Sequence, residues 1–253
     1  MRLEWETSDG VPLLRAHGTR AEIVFTSRQG GVSDGSFASL NLGFATADDS
    51  ERVSENRRRA LAAAGADAAR AVSLRQRHGT VVVDAGAVGG GYPDASVRWP
   101  EGDALVTAEP GLPVIAHGAD CLTAALVAAD GSRLAVVHAG WRGLVAGVLE
   151  EASGRVGPGF AAFVGPGAGA CCYEVGDEVA RPLRERFGED VVSGRRADLA
   201  AAARRALEGA GAGEVVTSGL CTICDPDRFH SFRRDGAGSG RQAVIAQLAG
   251  GRA

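Results

Sequence analysis

The chain has 253 residues (25.8 kDa), of which 45% are hydrophobic and 23% charged, with 37 glycines, 9 prolines and 5 cysteines. These proportions fit an ordinary globular core and exclude disordered, collagen-like and disulfide-scaffold chains. A net charge of −4 and a pI near 5.8 offer nucleic acid no basic field, and no apolar run reaches the roughly 18 residues that cross a bilayer.

The opening MRLEWETSDG lacks the basic-then-apolar order of a secretory signal, so a cytoplasmic protein with reduced thiols is expected. Residues 22–26 (EIVFT) predict a strand followed by a turn at Gly30-Gly31. Residues 51–64 have helix-forming composition and end at Gly65, a plausible left-handed cap. Residues 71–74 and 80–85 predict two short strands with Gln76-Arg77-His78-Gly79 between them. Residues 86–102, rich in glycine and carrying Pro93 and Pro100, have the composition of a mobile surface loop. The apolar heart follows, with short strands over 104–107, 113–117, 122–129 and 134–138. A helix is expected over 143–152, a strand over 161–164 and helices over 177–187 and 198–207. Residues 214–217 and 242–248 close the pattern as strands, although the second run also suits a helix. Strands outnumber helices without alternating with them. The expectation is therefore one α+β domain over 1–253, with mixed sheets as a sandwich-like core flanked by helices.

All 27 cationic side chains are arginine. Schiff-base lysines, lysine bases and phosphate-loop lysines are thereby excluded, so an anion must be held by arginine, backbone amides or a metal.

Three segments share one form, a short apolar run ending in a side chain that binds metals. They carry His78, Cys121 and His138. Three protein ligands leave a fourth position for water or substrate, the arrangement of a catalytic zinc site. Spacings of 43 and 17 residues do not by themselves demand this, because a turn histidine or a buried thiol accounts for each residue singly. Two other motifs carry less. Residues 165–170 match the G-x-G-x-x-A dinucleotide pattern, yet Cys171-Cys172-Tyr173-Glu174 follows where a helix should begin. Cys221-Thr222-Ile223-Cys224 has zinc or redox spacing but lacks a second pair. Cys171 and Cys172 are too close together to complete a tidy tetrahedron, so reduced structural thiols are expected.

Eight ordered blocks resemble the YfiH/YlmD family, also called laccase-domain or multicopper polyphenol oxidase proteins and assigned purine nucleoside phosphorylase activity. They are TSRQGGVSDGSFASLNLG (26–43), VSENRR (53–58), QRHG (76–79), GDALVT (102–107), ADCLTAAL (119–126), VVHAGWRGLVAGV (136–148), VGPGAGACCYEVG (164–176) and SFRRDGAGSGRQA (231–243). The resemblance implies a cysteine-hydrolase-like fold shared with toxin-type deamidases. It also implies a zinc site at His78, Cys121 and His138, with copper as the alternative ion. The implied reaction is phosphorolysis of adenosine, inosine and S-methyl-5′-thioadenosine, with adenosine deamination as a second activity. A nucleoside and phosphate are then the partners, and neither nucleic acid nor membrane is involved.

Within that reading Arg28 and Arg142 are the candidates for phosphate, as catalytic and substrate-binding groups. Cys121 and Asp120 are the other catalytic candidates, Asp120 as proton shuttle or as support for a ligand. Asn41 and Gln76 are candidates to hold the nucleoside, with an Asx-type brace as the alternative for Asn41. Arg233 and Arg234 are read as structural. The chain departs from the family pattern at Arg77, Thr123 and His230-Ser231-Phe232, which touches substrate preference rather than the ligand triad. Two rival activities remain: a Cys–His amidase editing peptidoglycan precursors, and a copper-dependent polyphenol oxidase, for which five histidines are few. A metal-dependent binding module is the non-enzymatic alternative.

Overall fold

The computed structural model describes residues 1–250. In chain order the strands are β1 (Arg2–Ser8), β2 (Val11–His17), β3 (Ala21–Thr26), β4 (Val82–Asp84), β5 (Ala104–Thr107), β6 (Val114–Gly118), β7 (Leu122–Val127), β8 (Leu134–Ala139), β9 (Ala161–Val164), β10 (Val192–Ser193), β11 (Arg196–Ala197), β12 (Glu214–Thr217) and β13 (Gln242–Leu248). The helices are α1 (Ser50–Ala63), α2 (Trp141–Ala146), α3 (Val148–Val156), α4 (Asp177–Phe187), α5 (Leu199–Gly209) and α6 (Phe232–Asp235).

Two sheets form the core, one ordered β1-β2-β3-β13-β6 and one ordered β12-β9-β7-β8-β5-β4, with β10 and β11 as a separate hairpin. Pairing is antiparallel except β12 with β9 and β4 with β5. The sheets face each other through Phe25, Ile23, Val114 and Val244 on one side and Leu105, Ala125, Val136 and Phe163 on the other. Every residue of β7 and β8 is buried because both faces are covered, which is why they read as continuous apolar runs rather than alternating ones. Helices α3 and α5 cover the outer face of the six-stranded sheet with Leu149, Ala152, Ala203 and Leu207. Helix α1 covers the other sheet with Ala60 and Leu61 against Leu13, Val24 and Ile245. The result is the expected α+β sandwich with flanking helices. Among the described residues, no helix is long and apolar enough to cross a membrane.

Most predicted elements are present, with informative exceptions. The β1–β2 hairpin was not anticipated; it turns on Asp9 (φ 49°) and Gly10 (φ 76°), two positive-φ residues in the two-residue connection that suits strand twist. Residues 71–74 form only an isolated bridge, Val72 to Val114. The helix expected over 143–152 is two helices, because Gly147 adopts φ 98° and caps α2 in a left-handed conformation. The same conformation occurs at Gly65, φ 67°, as expected. The glycine-rich 86–102 loop is pinned rather than loose. Tyr92 is fully buried, its N–H donates to the Ala71 carbonyl at 3.1 Å and its carbonyl accepts from Arg57 at 2.6 Å.

Candidate metal centre

The three segments singled out for their donors end at one place. His78 sits in the turn before β4, Cys121 between β6 and β7, and His138 in β8, paired with Thr123 of β7. One donor atom from each lies within 4.8 Å of the others. Cys121 Sγ is 3.7 Å from His78 Nε2, and the two imidazoles meet edge to face with centroids 4.7 Å apart. Unusual backbone delivers them: His78 has φ 61° and Asp120, just before Cys121, has φ 85°. Non-glycine residues pay for that conformation only where surrounding bonds hold it.

The holding group is Asp103, immediately before β5 and 1% exposed. Its carboxylate accepts from the backbone N–H of Arg77 (3.1 Å), His78 (2.8 Å) and Gly79 (2.7 Å) and faces His138 Nδ1 at 2.9 Å. Its carbonyl accepts the His138 N–H at 2.7 Å. One carboxylate thus shapes the His78 turn and orients the His138 ring, leaving His138 Nε2 toward the cluster. A carboxylate behind a ligating histidine is the usual support of a metal-bound imidazole. Asp103 escaped the sequence reading, although it stands in the GDALVT block as an acidic residue at the mouth of an apolar strand.

Charge follows the same geometry. Burial alone would raise the Cys121 thiol, but hydrogen bonding to His138 and His78 outweighs it and lowers the thiol to about 6. Burial would lower His138, but Asp103 and then Cys121 raise it to about 9. Burial works against Asp103 too, and the bonds from His138 and Gly79 still bring its carboxyl below the usual value. At neutral pH the metal-free cluster is therefore a thiolate–imidazolium pair backed by a carboxylate. The donors fit a divalent, thiophilic ion. A thiolate and two imidazoles are borderline-soft ligands, and Gly140 leaves them room: a Cβ there would lie 2.9 Å from Cys121 Sγ and 3.0 Å from His78 Cδ2.

The other candidate residues stand in differing surroundings. Arg142, second residue of α2, is exposed and lies over the Trp141 ring at 4.3 Å; among the described residues it makes no hydrogen bond or ion pair. Arg28 was expected to bind phosphate, but its guanidinium donates to the Ala38 (2.7 Å), Pro226 (3.0 Å) and Ser36 (3.4 Å) carbonyls and braces loops. Asn41 is fully buried; its amide donates to Thr46 Oγ1 and Asp48 Oδ2 and accepts from the Gly43 and Arg241 N–H groups. The Asx-type alternative is therefore the one found. Gln76 bonds both ways with the His117 backbone, at 2.9 and 2.8 Å, extending the ladder of β6. Asp120 accepts from Thr222 Oγ1 at 2.7 Å and from the Arg233 N–H at 2.5 Å, so both oxygens are engaged in anchoring loops rather than free to shuttle a proton.

Arg77 is exposed and pairs with Glu101 at 3.7 Å. Arg234 donates to the Thr222, Ile223 and Phe229 carbonyls, and Arg233 to the Glu174 carbonyl, as their structural reading expects. Gly165 and Gly167 serve close packing: a Cβ would strike the Phe25 ring at 2.2 Å and Leu122 Cδ2 at 2.5 Å. The four remaining cysteines are free thiols, and only the geometric objection to their convergence is corrected. Cys171, Cys172, Cys221 and Cys224 do converge, all four sulfurs within 4.8 Å of one another, because a turn at 169–173 lies beside the 221–224 segment.

Known proteins share the sequence and the fold over nearly the whole chain. The family model described as multi-copper polyphenol oxidoreductase laccase matches residues 22–249. A purine nucleoside phosphorylase of Deinococcus radiodurans is 40% identical over 252 residues, covering 96% of this chain and 95% of the relative. The purine nucleoside phosphorylase YfiH of Escherichia coli is 36% identical over 236 residues, covering 88% and 92%. The crystal structure of YlmD from Geobacillus stearothermophilus superposes with a TM-score of 0.87 at 30% identity, covering 97% of this chain and 98% of that one.

Proposed function

The chain belongs to the family of multi-copper polyphenol oxidoreductase laccases, and from that premise we propose that it is a zinc-dependent purine nucleoside phosphorylase acting on adenosine, inosine and S-methyl-5′-thioadenosine. The observation that carries the reading is the convergence of His78, Cys121 and His138 under Asp103, in a chain whose relatives bear that enzyme's name. The family description does not extend to multi-copper chemistry here. The remaining histidines are His17, beside Glu6 at 3.0 Å, His117, bonded to Tyr92 at 2.7 Å, and His230, enclosed against Gly240. None joins the triad, and a copper cluster needs many more imidazoles.

In phosphorolysis a phosphate oxygen bonds to C1′ as the bond to the purine nitrogen breaks. The electron pair leaves with the base, which takes up a proton. A zinc ion held by the triad would supply positive charge for an oxygen or nitrogen that becomes more negative along the way. The protein's own groups prepare the site. Asp103 fixes the tautomer and plane of His138, while the low thiol value keeps Cys121 ionised as a ligand at neutral pH. Arg142, held by Trp141 and with its forked donors uncommitted, is the group to receive phosphate. The test is turnover: metallated protein given each nucleoside with phosphate should release free base and the matching sugar 1-phosphate (ribose 1-phosphate, or 5-methylthioribose 1-phosphate from S-methyl-5′-thioadenosine), and chelation or His138→Ala should abolish release. Absence of release from all three substrates by fully metallated protein would overturn the assignment.

The thiolate–imidazolium pair favours a second reading, Cys121 as nucleophile of an amidase. Cys121→Ser separates the two. Amide cleavage on muramyl peptides by the parent protein, lost in the variant while its metal content persists, would support the nucleophile. Deamination has no comparable support, since both oxygens of Asp103 and of Asp120 already accept hydrogen bonds from the surrounding loops.

A further inference from the structure

We propose that Cys171, Cys172, Cys221 and Cys224 form a second metal site, an all-thiolate centre that binds one zinc ion and clamps the 169–173 turn to the 221–224 segment. The four cysteines are free thiols whose sulfurs all lie within 4.8 Å of each other. Cys224 Sγ is 3.1 Å from Cys171 Sγ and 2.8 Å from Cys172 Sγ. Four sulfurs at the usual zinc bond length of about 2.3 Å stand roughly 3.8 Å apart along a tetrahedron's edges, so small side-chain rotations suffice to seat an ion.

Local structure explains how adjacent cysteines share one centre. The Cys172 and Tyr173 N–H groups both donate to the Gly169 carbonyl, at 3.0 and 2.9 Å. That helical turn rotates the two successive side chains without carrying them far apart. Cys221 and Cys224 have the two-residue spacing common in zinc knuckles. The strands of chain are already aligned, with Thr222 N–H donating to the Gly167 carbonyl at 2.9 Å and Gly169 N–H donating to Cys221 Sγ at 3.2 Å. An amide aimed at a sulfur is the outer support that tunes a zinc thiolate.

The clamp has a mechanical consequence for the first site. Thr222, between the two cysteines of the second pair, bonds Asp120 through its hydroxyl and Arg234 through its carbonyl. The Ala168 N–H donates to the Asp120 carbonyl at 2.8 Å. Asp120 in turn sets the backbone that presents Cys121. The second ion is thus a positioning device for the triad, and the proposal stands whether the triad performs phosphorolysis or another reaction.

The test counts ions and reads their ligands. Protein purified under reducing conditions and loaded with zinc should hold two ions per chain. The Cys121→Ser/His138→Ala variant should hold one, and its cobalt-loaded form should show the intense charge-transfer and ligand-field bands of tetrahedral cobalt thiolate. Those bands should disappear when Cys221→Ser and Cys224→Ser are added to that variant. Should that variant not fold, alkylation mapped by mass spectrometry on the unmodified chain decides the question. Zinc should slow labelling of all four cysteines about tenfold or more, reversed by a chelator. A single ion per unmodified chain, labelling of these cysteines indifferent to zinc, or their recovery as disulfides from reducing buffer would each overturn the proposal.

Discussion

Two clusters of metal-type donors stand in one molecule, and they are built in opposite ways. His78, Cys121 and His138 stand at strand ends and turns of the core, with a buried carboxylate behind them and three donors in all. The four cysteines lie on two surface segments, with Cys171 and Cys224 exposed. A set of three donors on a rigid frame leaves room for a reactant, whereas four thiolates saturate an ion and make it a fastener. On the readings proposed above, chemistry belongs to the first cluster and stability to the second.

The strongest way to break that contrast is Asp103→Ala. Three backbone N–H groups and His138 Nδ1 lose their acceptor in a buried place, at a cost of about 3 kcal/mol or more in folding free energy. Denaturant unfolding should show that loss, and base release should fall by about 100-fold or more as the ligands lose their orientation. An Asp103→Ala protein with near-parent stability and turnover would mean that the carboxylate is not the organiser of the site. Gly140→Ala comes next. Its Cβ would press on Cys121 Sγ and the His78 ring, so metal affinity and turnover should drop by about tenfold or more, with far less effect on unfolding.

Much of the frame of the first cluster was legible in the chain, and the reasons are physical. Strands β5, β9 and β12 and helix α4 occur where their residues predicted, because a short apolar run between turn formers leaves the backbone few alternatives. The β1–β2 hairpin was equally available from Asp9-Gly10, but β1 is mostly exposed and lacks an apolar run to draw attention. The triad was a different matter. Its members are separated by 43 and 17 residues, so only resemblance to a family joined them before the fold did. Arg28 and Asn41 both sit in family-like blocks, and their polar atoms bond loop carbonyls, side chains and amides, contacts that no spacing rule reveals. The cysteine cluster stayed hidden because adjacency along the chain was read as a geometric obstacle. A helical turn at Gly169 removes it.

A smaller effect sharpens the contrast through protonation. In metal-free protein the Cys121 thiol titrates at about 6 and His138 at about 9. A lowered thiol value stabilises the fold above the unfolded thiol's value, and that contribution is lost as pH falls through about 6. A raised imidazole value stabilises below the ordinary histidine value, and that contribution is lost as pH rises through about 9. The stability margin of metal-free protein over its Cys121→Ser variant should therefore be lost as pH falls through about 6 and persist on the alkaline side, where the thiolate's contribution replaces that of the imidazole. Iodoacetamide labelling of Cys121 should rise with a midpoint near pH 6, and a midpoint at the ordinary thiol value would remove the ion pair from the account.

The smallest expected effect belongs to Gly169→Ala, the counterpart of Gly140→Ala at the other cluster. A Cβ at Gly169 would lie 3.0 Å from Cys221 Cβ and 3.3 Å from the sulfurs of Cys171 and Cys221. These contacts are tight rather than impossible, and both cysteines stand on surface segments that can give by a few tenths of an ångström. The cost should be about 1 kcal/mol in unfolding free energy, with base release kept within about twofold because a shift of that size at Cys221 is absorbed before it reaches Asp120. Equal losses of turnover from Gly140→Ala and Gly169→Ala would show that the surface clamp and the reactive cluster act as one unit, since the strain would then pass from Cys221 through Thr222 and Asp120 to the Cys121 thiolate.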